Sequence, residues 1–107
     1  MDAVVDERAA NRFVVTVDGS TAELVYRQVG DRLVLVHTGV PDAIAGHGIA
    51  GRLTEAALAR ARDEGLTIVP DCPYARRWLE EHPEAAATVA IDWPGRLPGA
   101  GPGSEGS

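Results

Sequence analysis

Apolar and polar residues alternate along the early part of the chain and then change period. From Arg12 to Asp18 the sequence is valine-rich and loosely alternating, which predicts a β-strand. Asp18-Gly19 is a favoured tight-turn pair. Thr21 to Val29 then resumes as a second strand, with Ala22, Leu24, Tyr26 and Gln28 on one side and Glu23, Val25, Arg27 and Val29 on the other. Gly30-Asp31 predicts a second turn. Arg32 to Thr38 reads as a third strand, whose unbroken run Leu33-Val34-Leu35-Val36 suggests burial on both faces. Three strands joined by short turns make an antiparallel meander.

The period then lengthens to that of a helix. Ile49, Leu53, Ala57 and Ala61 recur at helical spacing, and Ala50, Ala56 and Leu58 broaden the stripe. Arg52, Glu55, Arg62 and Asp63 fall outside it. The helix is expected from about Ala45 to Glu64, with Gly65 as its left-handed terminator. Leu66 to Val69 predicts a short fourth strand, cut off by Pro70. A strand–helix–strand crossover places that strand parallel to the third. Pro73 suits the first turn of a second helix, where its missing N–H costs nothing. That helix is expected through Glu81, with Trp78 and Leu79 inward, and His82-Pro83 stops it. Glu84 to Trp93 is compatible with a short helix or a strand. The fold class expected is α+β, one domain over residues 1–93, followed by a Gly/Pro/Ser-rich tail over 94–107 that is expected to be disordered.

Composition narrows the function classes. The chain has 107 residues, 45% hydrophobic, enough for a single modest core. Lys+Arg 10 against Asp+Glu 16 gives a net charge of -6, a poor balance for gripping a nucleic-acid backbone. Arg60, Arg62 and the pair Arg76-Arg77 are candidates for a local basic patch, with solvated helix faces as the plainer reading. A single cysteine, Cys72, excludes an internal disulfide and a cysteine-based zinc cluster. No apolar run is long enough to span a bilayer, and the charged amino terminus lacks a signal-peptide core. A cytoplasmic protein is expected.

The most chemical stretch runs from Val36 to Gly51. A β-prone run ends, a glycine-rich turn follows, and an alanine- and leucine-rich helix begins. A helix start with small residues leaves backbone N–H groups unpaired at the positive end of the helix dipole. Such donors suit a phosphate or pyrophosphate.

Three stretches in this order resemble the small, single-domain GCN5-related N-acetyltransferases. They are His37-Thr38-Gly39-Val40-Pro41, then Gly46-His47-Gly48-Ile49-Ala50, then Val69-Pro70-Asp71-Cys72-Pro73-Tyr74 continuing to Trp78-Leu79 and His82-Pro83-Glu84. The resemblance covers roughly Val14 to Glu84. It implies an acetyl-CoA-dependent enzyme that transfers acetyl to an amine, either of a small molecule or of a protein lysine. By the same resemblance, coenzyme A rests its pyrophosphate on amides near Gly46, His47, Gly48, Ile49, Ala50 and Gly51. The family's pattern there is Arg or Gln, two residues, Gly, one residue, then Gly or Ala. Gly48 and Ala50 fit its end, whereas Ala45 stands in place of the Arg or Gln. The resemblance also runs the pantetheine arm between two parallel strands that splay apart, along main-chain groups near His37, Thr38, Gly39 and Val40. Gly39 stands where small members of the family usually carry an acidic residue.

Acetyl transfer needs a proton acceptor for the amine, donors for the developing oxyanion and a proton for the leaving thiolate. Histidine is the side-chain type suited to that acceptor role near neutrality, which makes His37 the candidate. Cys72 precedes a helix start that would favour its thiolate, and the resemblance makes it the position for an acyl intermediate or for a neighbour of the thioester. Tyr74 is the candidate proton donor to sulfur. Each has a plainer reading: Cys72 as a small buried residue, His37 bonded to backbone, Tyr74 as packing. His47 is expected to supply only its amide, and His82 to cap its helix. Direct transfer and a route through acyl-Cys72 are both compatible with the residues. The alternative class is a non-catalytic CoA-binding sensor or partner module. The chain is expected to be a monomer or homodimer, without nucleic-acid or membrane partners.

Overall fold

The computed structural model describes residues 3–93. Five strands form one sheet in the order β1-β2-β3-β4-β5. They are β1 (Val5–Glu7), β2 (Arg12–Val17), β3 (Ser20–Val29), β4 (Arg32–Gly39) and β5 (Thr67–Pro70), with helices α1 (Ile49–Glu64), α2 (Pro73–Glu81) and α3 (Pro83–Ala86). The meander is antiparallel, and β5 runs parallel to β4 as the crossover through α1 requires. The expectation of a disordered tail over 94–107 lies outside the described residues.

Turn chemistry sets the meander. Asp18 and Gly19 have φ of 51° and 81°, the two positive angles of a tight hairpin turn. That fixes the register Val17↔Ser20, so Phe13 and Val15 face the same side as Leu24 and Ala22. All four are buried, as is Tyr26 further along β3. The opposite face of β3 carries Glu23, Val25, Arg27 and Val29, which are half-buried or exposed. Strand β1 was not expected. It pairs Val5 with Val14 and Glu7 with Arg12, and the Arg12 guanidinium then bonds Glu7 at 2.8 Å and Glu23 at 3.0 Å across three strands.

The helix start differs from the expected Ala45. Asp42–Ile44 form a single 3-10 turn after Pro41, Ala45 is extended, and Gly46 (φ +85°) and Gly48 (φ +70°) are left-handed. An α-helix cannot run through those two glycines, so α1 begins at Ile49 with Gly48 as its N-cap. From there the stripe is as periodicity predicts. Ile49, Ala50, Leu53, Ala57, Leu58 and Ala61 are buried against the sheet. Removing Leu53, which is 0% exposed, to Ala costs about 3 kcal/mol. Gly65 ends the helix at φ +68°, and Leu66 N–H bonds the Ala61 carbonyl at 2.9 Å. Ala75 and Leu79 of α2 complete the same core, with Trp78 half-buried beside them. After α3, Ala90 to Asp92 return along the outer edge of β5. Ile68 N–H bonds the Ala90 carbonyl at 2.9 Å, and Asp92 N–H bonds the Ile68 carbonyl at 2.8 Å. The segment Glu84–Trp93 is thus partly helix and partly an edge bridge.

Among the described residues no helix is long and apolar enough to cross a membrane, and no cluster of three or more His, Cys, Asp or Glu is placed to hold a metal.

Candidate active site

The site begins with one surplus residue in β4. Val25 pairs with His37, but Tyr26 pairs with Leu35, so Val36 has no partner on β3 and forms a bulge. On the other side of β4, pairing with β5 runs from Arg32↔Thr67 to Leu35↔Pro70 and ends there. Pro70 has no N–H to continue a ladder. The two strands therefore separate at the bulge. Asp71 N–H turns back to the Val69 carbonyl at 3.0 Å, and Cys72 N–H reaches the Leu35 carbonyl at 2.8 Å, closing the apex of the gap. Arg76 donates to the carbonyls of Pro70 at 3.3 Å and Asp71 at 3.2 Å, which occupies the polar groups that β5 leaves over.

The gap opens into a cleft of about 680 Å³. Val36, His37 and Thr38 line one wall, and Cys72, Pro73, Tyr74, Arg77, Trp78 and Glu81 line the other, on α2 and its cap. All three residues singled out for chemistry thus share one cavity. Thr38 Oγ1 lies 3.2 Å from Cys72 Sγ across it. Cys72 is only 3% exposed, at the N-cap of α2 with Pro73 as the first helical residue. Tyr74 is 57% exposed and Val36 40%, so the mouth is lined by uncovered apolar surface. His37 pairs with Val25, on the sheet face turned away from Leu24 and α1, and is exposed. Arg77 and Glu81 make an exposed ion pair at 3.4 Å on the rim, worth less than about 1 kcal/mol.

Gly39 and Val40 lie apart from this cleft, in a shallow groove with Arg12, Thr21, Glu23 and Pro41. A Cβ at Gly39 would stand 3.4 Å from His37 Nε2 and 3.8 Å from Glu23 Cγ. Ala45, Gly46, His47 and Gly48 form an exposed turn. The left-handed angles at Gly46 and Gly48 curve its backbone into the kind of concavity that binds anions. The first helical bond of α1 is from Arg52 N–H to the Gly48 carbonyl at 3.1 Å. Ile49, Ala50 and Gly51 therefore have no partner within the helix for their N–H groups, Gly48 has no side chain to cap them, and the first turn carries no acidic residue. Gly51 links this helix start to the cleft. A Cβ there would sit 2.6 Å from Trp78 Nε1, so only glycine lets the indole lie against α1.

The basic-patch expectation does not hold. Arg60 is buried (8% exposed) and bonds Asp6 at 3.2 Å and Gln28 at 2.6 Å. Arg62 bonds Thr88 at 3.0 Å, Arg76 holds carbonyls and Arg77 pairs with Glu81. The four arginines thus meet different partners, and only Arg60, the buried one, needs acceptors to offset the cost of burying its charge. His82 caps α2 as expected, with Nδ1 2.8 Å from the Trp78 carbonyl. Sequence reasoning missed the bulge at Val36 and the Gly51–Trp78 fit. The first has no local signature, and the second joins residues from two helices.

A sheet that opens where its antiparallel and parallel halves meet, beside an uncapped glycine-rich helix start, defines the class: a small α+β domain with a cleft at the strand ends. Comparison with known proteins supplies the family. Residues 12–89 match the family described as GCN5-related N-acetyl-transferase. The chain is 40% identical over 80 residues to "Protein NATD1" of Gallus gallus, covering 72% of this chain and 73% of that protein. It is 40% identical over 80 residues to "Protein NATD1" of Homo sapiens, covering 72% and 71%, and 34% identical over 80 residues to that of Danio rerio, covering 72% and 73%. The chain belongs to the GCN5-related N-acetyltransferase family.

Proposed function

We propose that this chain is an acetyl-CoA-dependent N-acetyltransferase whose described domain carries both the cofactor site and the transfer site. The observation that carries the reading is the cleft opened at Val36, which is lined by Cys72, Tyr74 and Trp78, the last with its indole against Gly51 in the uncapped first turn of α1. The residues present fit the cofactor. Gly46 to Gly51 offer amide donors without a competing carboxylate, suited to a diphosphate. The edge of β4 beyond Leu35 has no β5 partner, so the main-chain groups of His37 and Thr38, which line the cleft, are placed to pair with an extended amide-bearing arm. Ala45 offers no side-chain donor, so grip on the diphosphate rests on the main chain.

When bound, the thioester supplies an activated acetyl group. The chain's own groups handle the protons. His37 accepts the proton that the attacking amine loses, and Tyr74 donates one to the departing sulfur, so the site returns to its starting charge once the two residues exchange protons with solvent. Direct transfer requires only this and positioning. Cys72 sits beside the reacting centre, with Thr38 setting the orientation of its thiol. The acceptor is a primary amine, of a small molecule or of a lysine side chain.

Calorimetry with coenzyme A, followed by a thiol-release assay with acetyl-CoA over a panel of amines, tests the reading. Expected are saturable heat and amine-dependent thiol release, with Cys72→Ala retaining a large part of the rate. Complete loss of turnover in Cys72→Ala with binding intact would replace direct transfer by an acyl-cysteine route. Tight binding with no release over the whole panel would make the chain a CoA-binding module, as the open, unwalled mouth at Tyr74 and Val36 also allows. No heat at all would overturn the cofactor.

A further inference from the structure

Trp78 contributes to the cleft wall a polar group that the fold leaves without a partner. Its Nε1–H has no hydrogen-bond acceptor among the described residues, although the ring is half-buried. A half-buried donor that the fold does not use is open to an acceptor that enters the cleft. The ring is also held in place with unusual care. His82 stacks on it at 4.0 Å with an interplanar angle of 14°, and His82 Nδ1 is tied to the Trp78 carbonyl at 2.8 Å. On the other side, Gly51 gives up its side chain to make room, since a Cβ would come within 2.6 Å of Nε1 and 3.3 Å of Cδ1. The indole N–H is thereby pinned where the cleft meets α1, between Cys72 and Tyr74 on one side and Gly51 on the other.

We propose that Trp78 is a ligand-binding residue. Its indole N–H donates to an oxygen of the bound coenzyme as the molecule passes from the cleft to the first turn of α1. This rests on the coenzyme reading above and gives the chain a side-chain donor at a site where Ala45 provides none. The acceptor is an amide or hydroxyl oxygen of the pantetheine arm or a phosphate oxygen, and the ligand series below separates the two.

The test uses the whole chain and two readouts. Calorimetry compares wild type with Trp78→Phe, which keeps an aromatic ring and removes the N–H. Coenzyme A is expected to bind the variant about fivefold more weakly, the worth of one hydrogen bond. Pantetheine, which lacks the phosphates, reports the source. A matching loss places the acceptor on the arm, and a loss confined to coenzyme A places it on a phosphate. In wild type, the indole ¹H–¹⁵N resonance of Trp78 is expected to move downfield on adding coenzyme A. The chain has Trp 2, so the second indole is the internal control. This readout holds even if the variant fails to fold. Equal affinity in wild type and variant, or a Trp78 indole resonance that does not move at saturating coenzyme A, overturns the inference while leaving the cofactor reading intact. No heat from wild type overturns both.

Discussion

The two ends of α1 are built on opposite rules. Around its last turns, polar groups have partners from the chain itself. Arg60 meets Asp6, Gln28 and Glu64, and its guanidinium lies 5.0 Å from the centre of the Tyr26 ring. The Tyr26 hydroxyl donates to Asp6 at 2.5 Å, and Arg8 pairs with Glu64. At the first turn, Gly46, Gly48 and Gly51 remove the side chains that would do the same work, and the amides of Ile49, Ala50 and Gly51 are left without helical partners. The closed end serves stability. The open end gives some of it up, since a capping side chain at the N-cap contributes typically about 1 kcal/mol. The helix is therefore anchored at the end away from the cleft and kept available at the other.

That contrast can be broken from either side. The largest effect is expected at the closed end. Arg60→Met takes the buried cation from Asp6, which keeps only the more exposed Arg8, and from Gln28, and should lower unfolding free energy by about 3 kcal/mol, read by urea denaturation. Arg60 lies nine residues beyond Gly51, roughly 13 Å along the helix, so coenzyme affinity at a temperature where the variant is folded should be unchanged. A smaller effect, of opposite kind, is expected at the open end. Gly48→Asp places a carboxylate at the helix start, where it complements the dipole and offsets the strain of its left-handed backbone. The melting temperature should stay close to wild type, while coenzyme A binding in calorimetry weakens by more than about tenfold.

The smallest effects are in pH dependence, and they belong to the closed end alone. Burial first, then the bond to Asp6, holds the Tyr26 phenol above its ordinary pKa of 10.0. The folded chain keeps that proton at a pH where the unfolded chain has begun to lose it. The contribution is therefore full below about pH 10 and declines as pH rises through the folded-state value. Tyr26→Phe should flatten this alkaline decline in urea midpoints. Glu64 behaves with the other sign. The bond from Arg8, assisted by the charge of Arg60, holds its carboxyl below the ordinary 4.5, so its contribution is present above that pH and is lost as pH falls. The pair is exposed, and added salt should shrink the acid effect further.

What was legible in the chain was local. The turn at Asp18-Gly19, the stop at Gly65, the opening proline of α2 and the helical stripe from Ile49 to Ala61 follow from conformational rules spanning a few residues. The helix start was misread at Ala45 because alanine favours helix, while the left-handed angles at Gly46 and Gly48 appear only once the turn is built. Arg60 looked like a surface cation because its acceptors Asp6 and Gln28 lie far away in sequence. Strand β1 has no signature of its own, because its three residues are ordered by partners outside the segment: β2 along its edge, and Tyr26 and Arg60 at Asp6. Within the candidate site, His37, Cys72 and Tyr74 line one cleft, whereas Gly39 and Val40 line a separate groove.

The extra residue in β4 shows how small an insertion can convert a structural seam into a workplace. Pairing keeps its sense on both sides of Val36, Tyr26 with Leu35 and Val25 with His37, so deleting it would leave His37 outward and Thr38 opposite Leu24. The deletion would instead take away the local bend and added twist that a surplus residue gives its strand, next to the last residue that β5 pairs. One position more than the neighbouring strand is thus what separates an opening seam from a plain, continuous sheet.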